Sequence, residues 1–233
     1  MKSGGMAHRD TESREFMDEP DCDPHRLERT YRHFTTVNRL VSGWRRIYRS
    51  RIRPHLTAHT PTTVLDIGFG GGDIPRALAR WAAADGLALR ITAIDPDPRA
   101  ILHVRGLPTA DVHFEQASSA HLVARGDEFD MVISNHVLHH LDAREVGPLL
   151  DDSLALSRHL VIHNDLSRGR LGYHLYAAAT VPLARRSFVH QDGLLSIRRS
   201  YRPPELRAQV PPQWRVEPMF PQRLLLTHDR VGR

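Results

Sequence analysis

A carboxylate and a cluster of glycines follow the first apolar strand of the chain, in the stretch VLDIGFGGGDIPRAL. Asp66 is followed by glycines at 68, 70, 71 and 72 and then by Asp73. Glycines at alternate positions let the backbone adopt positive φ and approach a ligand closely. A dinucleotide turn has the spacing G-x-G-x-x-G, but Asp73 occupies the third glycine position, where its charge would repel a pyrophosphate. The pattern D-x-G-x-G-x-G instead favours a ligand with an amino-acid end and no phosphate.

A second carboxylate, Asp95, stands at the end of the next apolar run, in ITAIDPDP. In nucleotide-binding α/β folds a carboxylate about 20 residues beyond the glycine turn accepts hydrogen bonds from the ribose hydroxyls. Asp66 is placed to approach an ammonium group. The two carboxylates therefore predict a site for an adenosine that carries an amino-acid chain.

Histidines follow the fourth apolar run, in FDMVISNHVLHHL. Histidine has a suitable pKa to remove the proton of a hydroxyl nucleophile, which makes His139 or His140 a candidate catalytic base. The alternative is that the pair packs against or caps the turn. His136, His139 and His140 share one helical face, but no cysteine or carboxylate joins them, so we expect no metal.

Polar residues also follow the fifth apolar run, at the edge where a substrate should lie. These candidate substrate-binding residues are Asn164, Asp165, Arg168 and Tyr173. Further on, VHQDGLLSIRRSY contains a third candidate base, His190, in a predicted loop where Asp192 could orient it. A surface or capping role is the alternative for each of these residues.

Aromatic residues near the N-terminus complete the predicted substrate pocket. Tyr31, Phe34 and Trp44, together with the apolar segment 171–182, are predicted to roof a pocket for a small aromatic or lipid-like molecule. The ordinary alternative is that these side chains pack on the sheet.

The elements that must position these residues alternate between strand and helix after Pro61. The predicted strands are 63–67, 89–94, 112–114, 129–134, 160–162, 214–219 and 223–227. The predicted helices are 73–84, 98–105, 142–157 and 171–184. Short apolar strands separated by helices imply parallel βαβ units in a doubly wound α/β sheet, and the last two strands read as an antiparallel edge pair.

Three segments are distinguished by composition and periodicity. Residues 1–22 are polar and aperiodic, which predicts a disordered tail. Residues 23–58 form a predicted N-terminal helical lid of one long or two shorter amphipathic helices, interrupted at Ser42-Gly43. Residues 59–233 form the main domain, with a substrate-cap insertion at about 167–200.

Composition restricts the class of protein. The single cysteine, Cys22, excludes an internal disulfide framework and fits a reducing compartment. No apolar run reaches the ~18 residues that a membrane span needs, and the N-terminus lacks a secretory signal, so we expect a cytoplasmic protein. The net charge of +5 could indicate nucleic acid, but Lys2 is the only lysine, which points to a general preference for arginine instead.

The glycine turn, Asp95 and FDMVISNHVLHHL occur together and in order, and with them the chain resembles class I S-adenosylmethionine-dependent methyltransferases over about 64–166. It is similar to the small-molecule branch that includes the ubiquinone and menaquinone methyltransferases. The resemblance implies S-adenosyl-L-methionine as the cofactor. It also implies a Rossmann-like seven-stranded sheet, mostly parallel with an antiparallel last strand.

The resemblance also implies site residues. The methionine part of the cofactor would be bound by Asp66, Gly68, Gly70 and Gly72. Asp95 would hold the ribose, Pro96 would pack against the adenine, and the stretch containing Asn135 would line the cofactor. The family often has an acidic residue after the third strand that accepts from the adenine amino group. Here Ser118 would have to replace it.

We therefore expect a methyltransferase that acts on a small, fairly apolar metabolite, with O-methylation of a phenolic or polyketide-like compound as the first hypothesis. C-methylation of a quinone precursor is the nearest alternative, because it depends less on a strong base. An alternative of another class is a non-catalytic cofactor-binding or scaffold protein. An RNA or protein substrate is favoured only by the basic composition, and the stretch is not of the N-P-P-Y type used to methylate base amines.

Overall fold

The computed structural model describes residues 6–108 and 111–230. Its centre is a seven-stranded sheet with the order β3-β2-β1-β4-β5-β7-β6. The strands are β1 (Thr62–Ile67), β2 (Leu89–Ile94), β3 (Val112–Glu115), β4 (Phe129–Asn135), β5 (Ser157–Leu166), β6 (Arg215–Met219) and β7 (Arg223–Asp229). Strands β1 to β5 are parallel, and β7 is antiparallel to both of its neighbours. The predicted Rossmann-like fold class is confirmed.

Helices cover both faces of the sheet. They are α1 (Pro24–Val41), α2 (Trp44–Ile47), α3 (Asp73–Ala84), α4 (Pro98–Val104), α5 (Ser119–Arg125), α6 (Ala143–Leu156), α7 (Arg170–Thr180), α8 (Val189–Arg199) and α9 (Pro203–Gln209). None of the helices in the described part of the chain is long and apolar enough to cross a membrane.

One apolar cluster packs on each face of the sheet, and a third, smaller cluster joins Leu27 and Tyr31 of α1 to Phe188. Successive residues of a strand point to opposite faces, so Val64 joins the cluster with Leu78 of α3, whereas Leu65 joins the cluster with Val146 of α6. All of these side chains are buried. Burial on both faces explains why the strands appear in the sequence as short continuous apolar runs.

The N-terminal helices break where the sequence predicted, at Ser42-Gly43. Gly43 has φ +74°, a conformation that favours glycine, and it separates α1 from α2. Trp44 and Tyr48 then pack into the same core cluster as Val64. The second half of the predicted lid is therefore continuous with the core of the main domain.

Residues 6–22 differ from the predicted disordered tail. Glu15 is buried, and the backbone N–H groups of Phe16 and Met17 each donate to the Asp192 carboxylate at 2.9 Å. The segment is held by polar contacts with distant residues instead of by a periodic apolar face, so hydropathy gives no sign of its order. Residues 1–5, also in the predicted tail, lie outside the described residues.

Helix α8 also differs from the prediction, which placed His190 and Asp192 in a loop. The Asp192-Gly193 pair suggests a turn in the sequence, but the segment is helical, and the Tyr176 hydroxyl donates to the carbonyl of Val189 at 2.7 Å. Tertiary contacts with α7 thus outweigh the local turn signal.

Candidate active site

A cavity of about 480 Å³ lies at the carboxyl ends of β1, β2 and β4, where ligands bind in open α/β sheets. It is closed on the other side by α1, by α8 and by residues 15–18 of the N-terminal segment. The predicted site residues in its lining are Asp66, Gly68, Gly70, Asp95, Pro96, Ser118, Asn135, Tyr31, Phe34, His139 and His140.

The glycine turn forms the floor of one end of the cavity. Gly70 has φ +51°, and its backbone N–H donates to Asp95 Oδ2 at 2.9 Å, which ties the turn to the end of β2. Gly72 has φ +66° but does not line the cavity, and a Cβ there would come within 2.9 Å of Phe114. The structure therefore places Gly72 in the turn that starts α3.

Three carboxylates meet at this end. Burial, and then the neighbouring charges of Asp73 and Asp95, raise the pKa of Asp66 well above its usual value. Asp66 Oδ1 is buried without a hydrogen-bond partner among the described residues, and no lysine or arginine of the described chain lines the cavity. An orphaned buried carboxylate beside two others fits a cationic ligand, such as one with an ammonium and a sulfonium group.

The floor under the middle of the cavity is a polar cluster around Asn135. Its Oδ1 accepts hydrogen bonds from Trp44 Nε1 at 2.9 Å, Arg223 Nη2 at 3.0 Å and Asn164 Nδ2 at 3.2 Å. Arg223 also donates to His136 Nε2 at 2.7 Å, and burial followed by this charge lowers the pKa of His136 well below its usual value. Trp44, predicted to roof the pocket, instead supports its floor.

His139 occupies the other end of the cavity, between two carboxylates. Its Nδ1 lies 2.7 Å from Asp165 Oδ1, and its Nε2 lies 3.3 Å from Glu15 Oε1. Burial would lower the pKa of His139, but the two carboxylates outweigh burial and raise it to about 9. The ring is therefore protonated at neutral pH, which argues against the predicted role of His139 as a base.

His140 is more accessible than His139. Its side chain is 33% exposed, its Nδ1 lies 3.2 Å from Asp18 Oδ2, and its Nε2 lies 3.9 Å from Glu15 Oε1. Of the three histidines predicted as bases, His140 alone combines cavity lining with partial exposure. A role for it in catalysis stays a prediction.

The remaining predicted residues lie outside the cavity lining. His190 is on α8, with its Nδ1 2.8 Å from Thr180 Oγ1, and Asp192 holds the N-terminal segment instead of His190. Tyr173 is on α7, one turn before Tyr176, which lines the cavity. Arg168 is buried in an ion pair with Glu205.

Asn164 and Asp165 lie behind the residues that line the cavity. The Asn164 amide donates to the carbonyl of Ser42 at 2.8 Å, and Asp165 binds His139 through both its ring and its backbone N–H. Both side chains are buried. They therefore hold other residues of the site instead of meeting the substrate, because β5 turns their side chains into the protein.

In the structure, carboxylates lie beside the histidines, although the sequence did not indicate any. Two sets of potential metal ligands have donor atoms within 4.8 Å of one another: Glu15, His139 and His140, and His136, His139 and Asp165. Both ring nitrogens of His139 already face carboxylates. A ring that carries a proton on each nitrogen therefore satisfies both carboxylates without a metal ion.

Several important residues escaped sequence reasoning. Glu15, Asp18, Ser196 and Arg223 contact or line the site but come from the two ends of the chain. Glu15 and His139 are far apart in sequence and belong to no shared motif. Only tertiary structure brings them together.

Comparison with known proteins agrees with this geometry. Residues 64–159 match a family model described as a methyltransferase domain. The fold is similar to that of the plantazolicin methyltransferase BpumL in complex with a pentazolic desmethylPZN analog and SAH, with a TM-score of 0.59, 12% identity and 91% of each chain covered. A search of curated proteins finds no match.

Two further solved structures share the fold. Human N-acetylserotonin methyltransferase in complex with SAM has a TM-score of 0.62 and 12% identity, with 89% of this chain and 56% of that chain covered. An O-methyltransferase family protein from Burkholderia thailandensis has a TM-score of 0.59 and 16% identity, with 88% and 59% covered. At these identities the likeness establishes the fold.

The matched segment contains the glycine turn, Asp95 and the histidine stretch, and it supplies part of the lining of the cavity described above. Residues 64–159 are therefore similar to a methyltransferase domain, and the chain has the class I methyltransferase fold. Solved structures of this fold hold SAM or SAH, and the unpartnered carboxylate of Asp66 fits such a cationic ligand.

Proposed function

We propose that the protein transfers the methyl group of S-adenosylmethionine to a hydroxyl group of a small, fairly apolar metabolite, a phenolic or polyketide-like compound. One observation carries the proposal: one cavity joins a carboxylate-rich end at the glycine turn to an end with His139 and His140, and aromatic side chains line it between helices. We place the reaction in the cytoplasm and in secondary metabolism.

The cofactor belongs at the carboxylate-rich end. We assign Asp66 and the turn residues Gly68 and Gly70 to its methionine part, with Gly72 shaping the turn, and Asp95 to its ribose. Pro96, Ser118 and Asn135 complete the lining beside them. The bound cofactor supplies an electrophilic methyl group on sulfur. The residues of the chain bind the cofactor and orient the acceptor.

The acceptor belongs at the other end. Phe34 of α1, Tyr176 of α7 and Met17 of the N-terminal segment supply an apolar wall, whereas Tyr31 of α1 packs beside Gly71 of the glycine turn. Such a wall holds a ring in place while a few polar groups fix its orientation. Holding the nucleophile in line with the methyl group is the main contribution a methyltransferase makes to the rate.

C-methylation of a quinone precursor is the second candidate. It is favoured by the protonation of His139, because an activated ring carbon needs orientation more than a strong base. One structural neighbour is named as an O-methyltransferase family protein, which supports the first candidate.

Calorimetry and a methylation assay test the proposal. We expect S-adenosylmethionine and S-adenosylhomocysteine to bind with one site per chain, and the enzyme to transfer labelled methyl groups to simple phenols. If neither compound binds, the protein is not a methyltransferase, and the scaffold alternative is the one that remains. Binding with methylation only at ring carbon would select the second candidate.

A further inference from the structure

The N-terminal segment is fixed over the acceptor end by charged contacts on both sides of Glu15. Before it, the Arg9 guanidinium donates to the carbonyl of Leu141 at 2.6 Å and to the Tyr201 hydroxyl at 2.7 Å. After it, the Asp192 carboxylate accepts from the N–H groups of Phe16 and Met17. Glu15 is therefore held in one place instead of hanging from a loose tail.

The two oxygens of the Glu15 carboxylate have different surroundings. Oε1 accepts a hydrogen bond from Ser196 Oγ at 2.7 Å and faces His139 Nε2 at 3.3 Å. No donor among the described residues binds Oε2, and the residue lines the cavity while only 2% of its surface is exposed. A buried carboxylate with one oxygen anchored and the other unused, beside an apolar wall, is suited to meet a donor group of the substrate.

We propose that Glu15 is a catalytic residue, whose Oε2 accepts the hydrogen bond of the acceptor hydroxyl and takes its proton during methyl transfer. This inference rests on the proposed O-methylation. It assigns the role of proton acceptor to a residue of the N-terminal segment, and not to the glycine turn or the histidines.

The step balances as follows. A lone pair of the hydroxyl oxygen forms the new O–CH₃ bond, and the CH₃–S bond breaks with its electron pair remaining on sulfur, which becomes a neutral thioether. The O–H bond breaks with its electrons remaining on oxygen, and the proton moves to Glu15 Oε2. The neutral acid then releases this proton to water.

Glu15 does not need to be a strong base for this step. Although burial raises the pKa of Glu15, His140 and His139 outweigh burial and lower it to about 2. An oxygen that is gaining a methyl group becomes far more acidic than any carboxylic acid, so an ionised carboxylate accepts its proton late in the reaction. The same low pKa lets Glu15 lose the proton before the next turnover.

His139 and Asp165 support this carboxylate. The protonated ring, held by Asp165 at 2.7 Å, presents N–H to Glu15 Oε1 and fixes the plane of the carboxylate. The charge of the imidazolium keeps Glu15 ionised in a buried position. His139 is then a positioning residue, which reconciles its protonation with its location in the site.

The test uses Glu15→Gln, which keeps shape but cannot take a proton, with Glu12→Gln as the matched control. Glu12 is exposed on the same segment. With catechol as acceptor, we expect Glu15→Gln to lower kcat on the order of a hundredfold with little change in KM, and Glu15→Asp to recover part of the loss. Glu12→Gln should match the wild type. The loss should shrink with 4-nitrophenol, a more acidic phenol that needs less help in losing its proton.

The outcomes separate the two proposals. Calorimetry with S-adenosylhomocysteine should give similar affinity for wild type and Glu15→Gln, which shows that the variant is folded. If the wild type methylates no phenol, the proposed O-methylation fails and this inference fails with it. If the wild type methylates phenols and Glu15→Gln does so equally fast, only the role of Glu15 is overturned. Activity that disappears with a chelator and returns with Zn²⁺ would also overturn it, since Glu15 would then be a metal ligand.

Discussion

The two ends of the cavity are built in different ways. The core of the cofactor end comes from the loops that follow β1 and β2, so Asp66, the glycines and Asp95 lie within about 30 positions of one another. The acceptor end combines Glu15 from the start of the chain, His139 from the loop after β4, and Ser196 from α8. The first end is made by local geometry and the second by tertiary packing.

The two ends also differ in their charges. Asp66 at the cofactor end is a buried carboxylate with an unpartnered oxygen. At the acceptor end, Glu15 and Asp165 each face one ring nitrogen of the protonated His139. The cofactor end is thus prepared for a charge that the ligand brings, whereas at the acceptor end the protonated His139 already offsets part of the carboxylate charge.

The largest effect should come from Asp66→Asn. We expect it to weaken S-adenosylhomocysteine binding about a hundredfold, because a charged hydrogen bond to a buried group is worth about 1.5–3 kcal/mol. The same change should raise the melting temperature of the ligand-free protein, since the ionised carboxylate is unfavourable where its pKa is raised. Calorimetry and thermal melting measure the two effects, and Asp151→Asn, on the exposed face of α6, is the control. Equal binding by both variants would contradict the assignment.

The next effect is on stability at high pH. The pKa of His139 is raised to about 9 in the folded state, so its contribution is complete below about pH 6.5 and is lost as the pH rises through 9. We expect roughly 3 kcal/mol of unfolding free energy to disappear over this interval. Denaturant titrations from pH 6 to pH 10 would show it. His139→Gln should flatten the dependence of unfolding free energy on pH. An unchanged slope in that variant would show that the contacts of His139 with Glu15 and Asp165 do not cause it.

Asp192→Ala should have a smaller and more selective effect. Loss of the two N–H···O contacts at 2.9 Å releases the segment that carries Glu15. We expect kcat to fall about tenfold, corresponding to roughly 1.4 kcal/mol, while S-adenosylhomocysteine binding stays the same. Limited proteolysis should cut the variant within residues 6–22 faster than the wild type. Loss of cofactor binding would show that the two ends are not independent.

The smallest effect is expected for His190→Ala. The side chain lies on α8 against Thr180, outside the cavity lining, so the methylation rate and its pH profile should stay close to those of the wild type. His140→Ala, made in parallel, should lower the rate. A shifted pH profile in the His190 variant would restore that residue as a candidate base.

The sequence was most informative where function depends on adjacent residues. Asp66, the glycines and Asp95 lie in consecutive β–α loops, and their spacing predicted both the fold and the cofactor. The strand bounds agree to within about two residues except at β5, which was predicted at 160–162 and spans Ser157–Leu166. Asn164, Asp165 and Arg168 were assigned to the substrate from their position after the predicted fifth strand, yet their side chains bind Arg223, His139 and Glu205. Position along a strand does not determine what a polar side chain meets.

The anchoring of residues 9–18 has a consequence for turnover. Molecules that enter or leave the acceptor end pass beside a segment held by Arg9 and Asp192, and we expect these contacts to open and reform in each cycle. In many enzymes such openings, and not the chemistry, limit the steady-state rate. A burst of methylated product in the first cycle, followed by a slower steady phase, would be the kinetic sign of this gate.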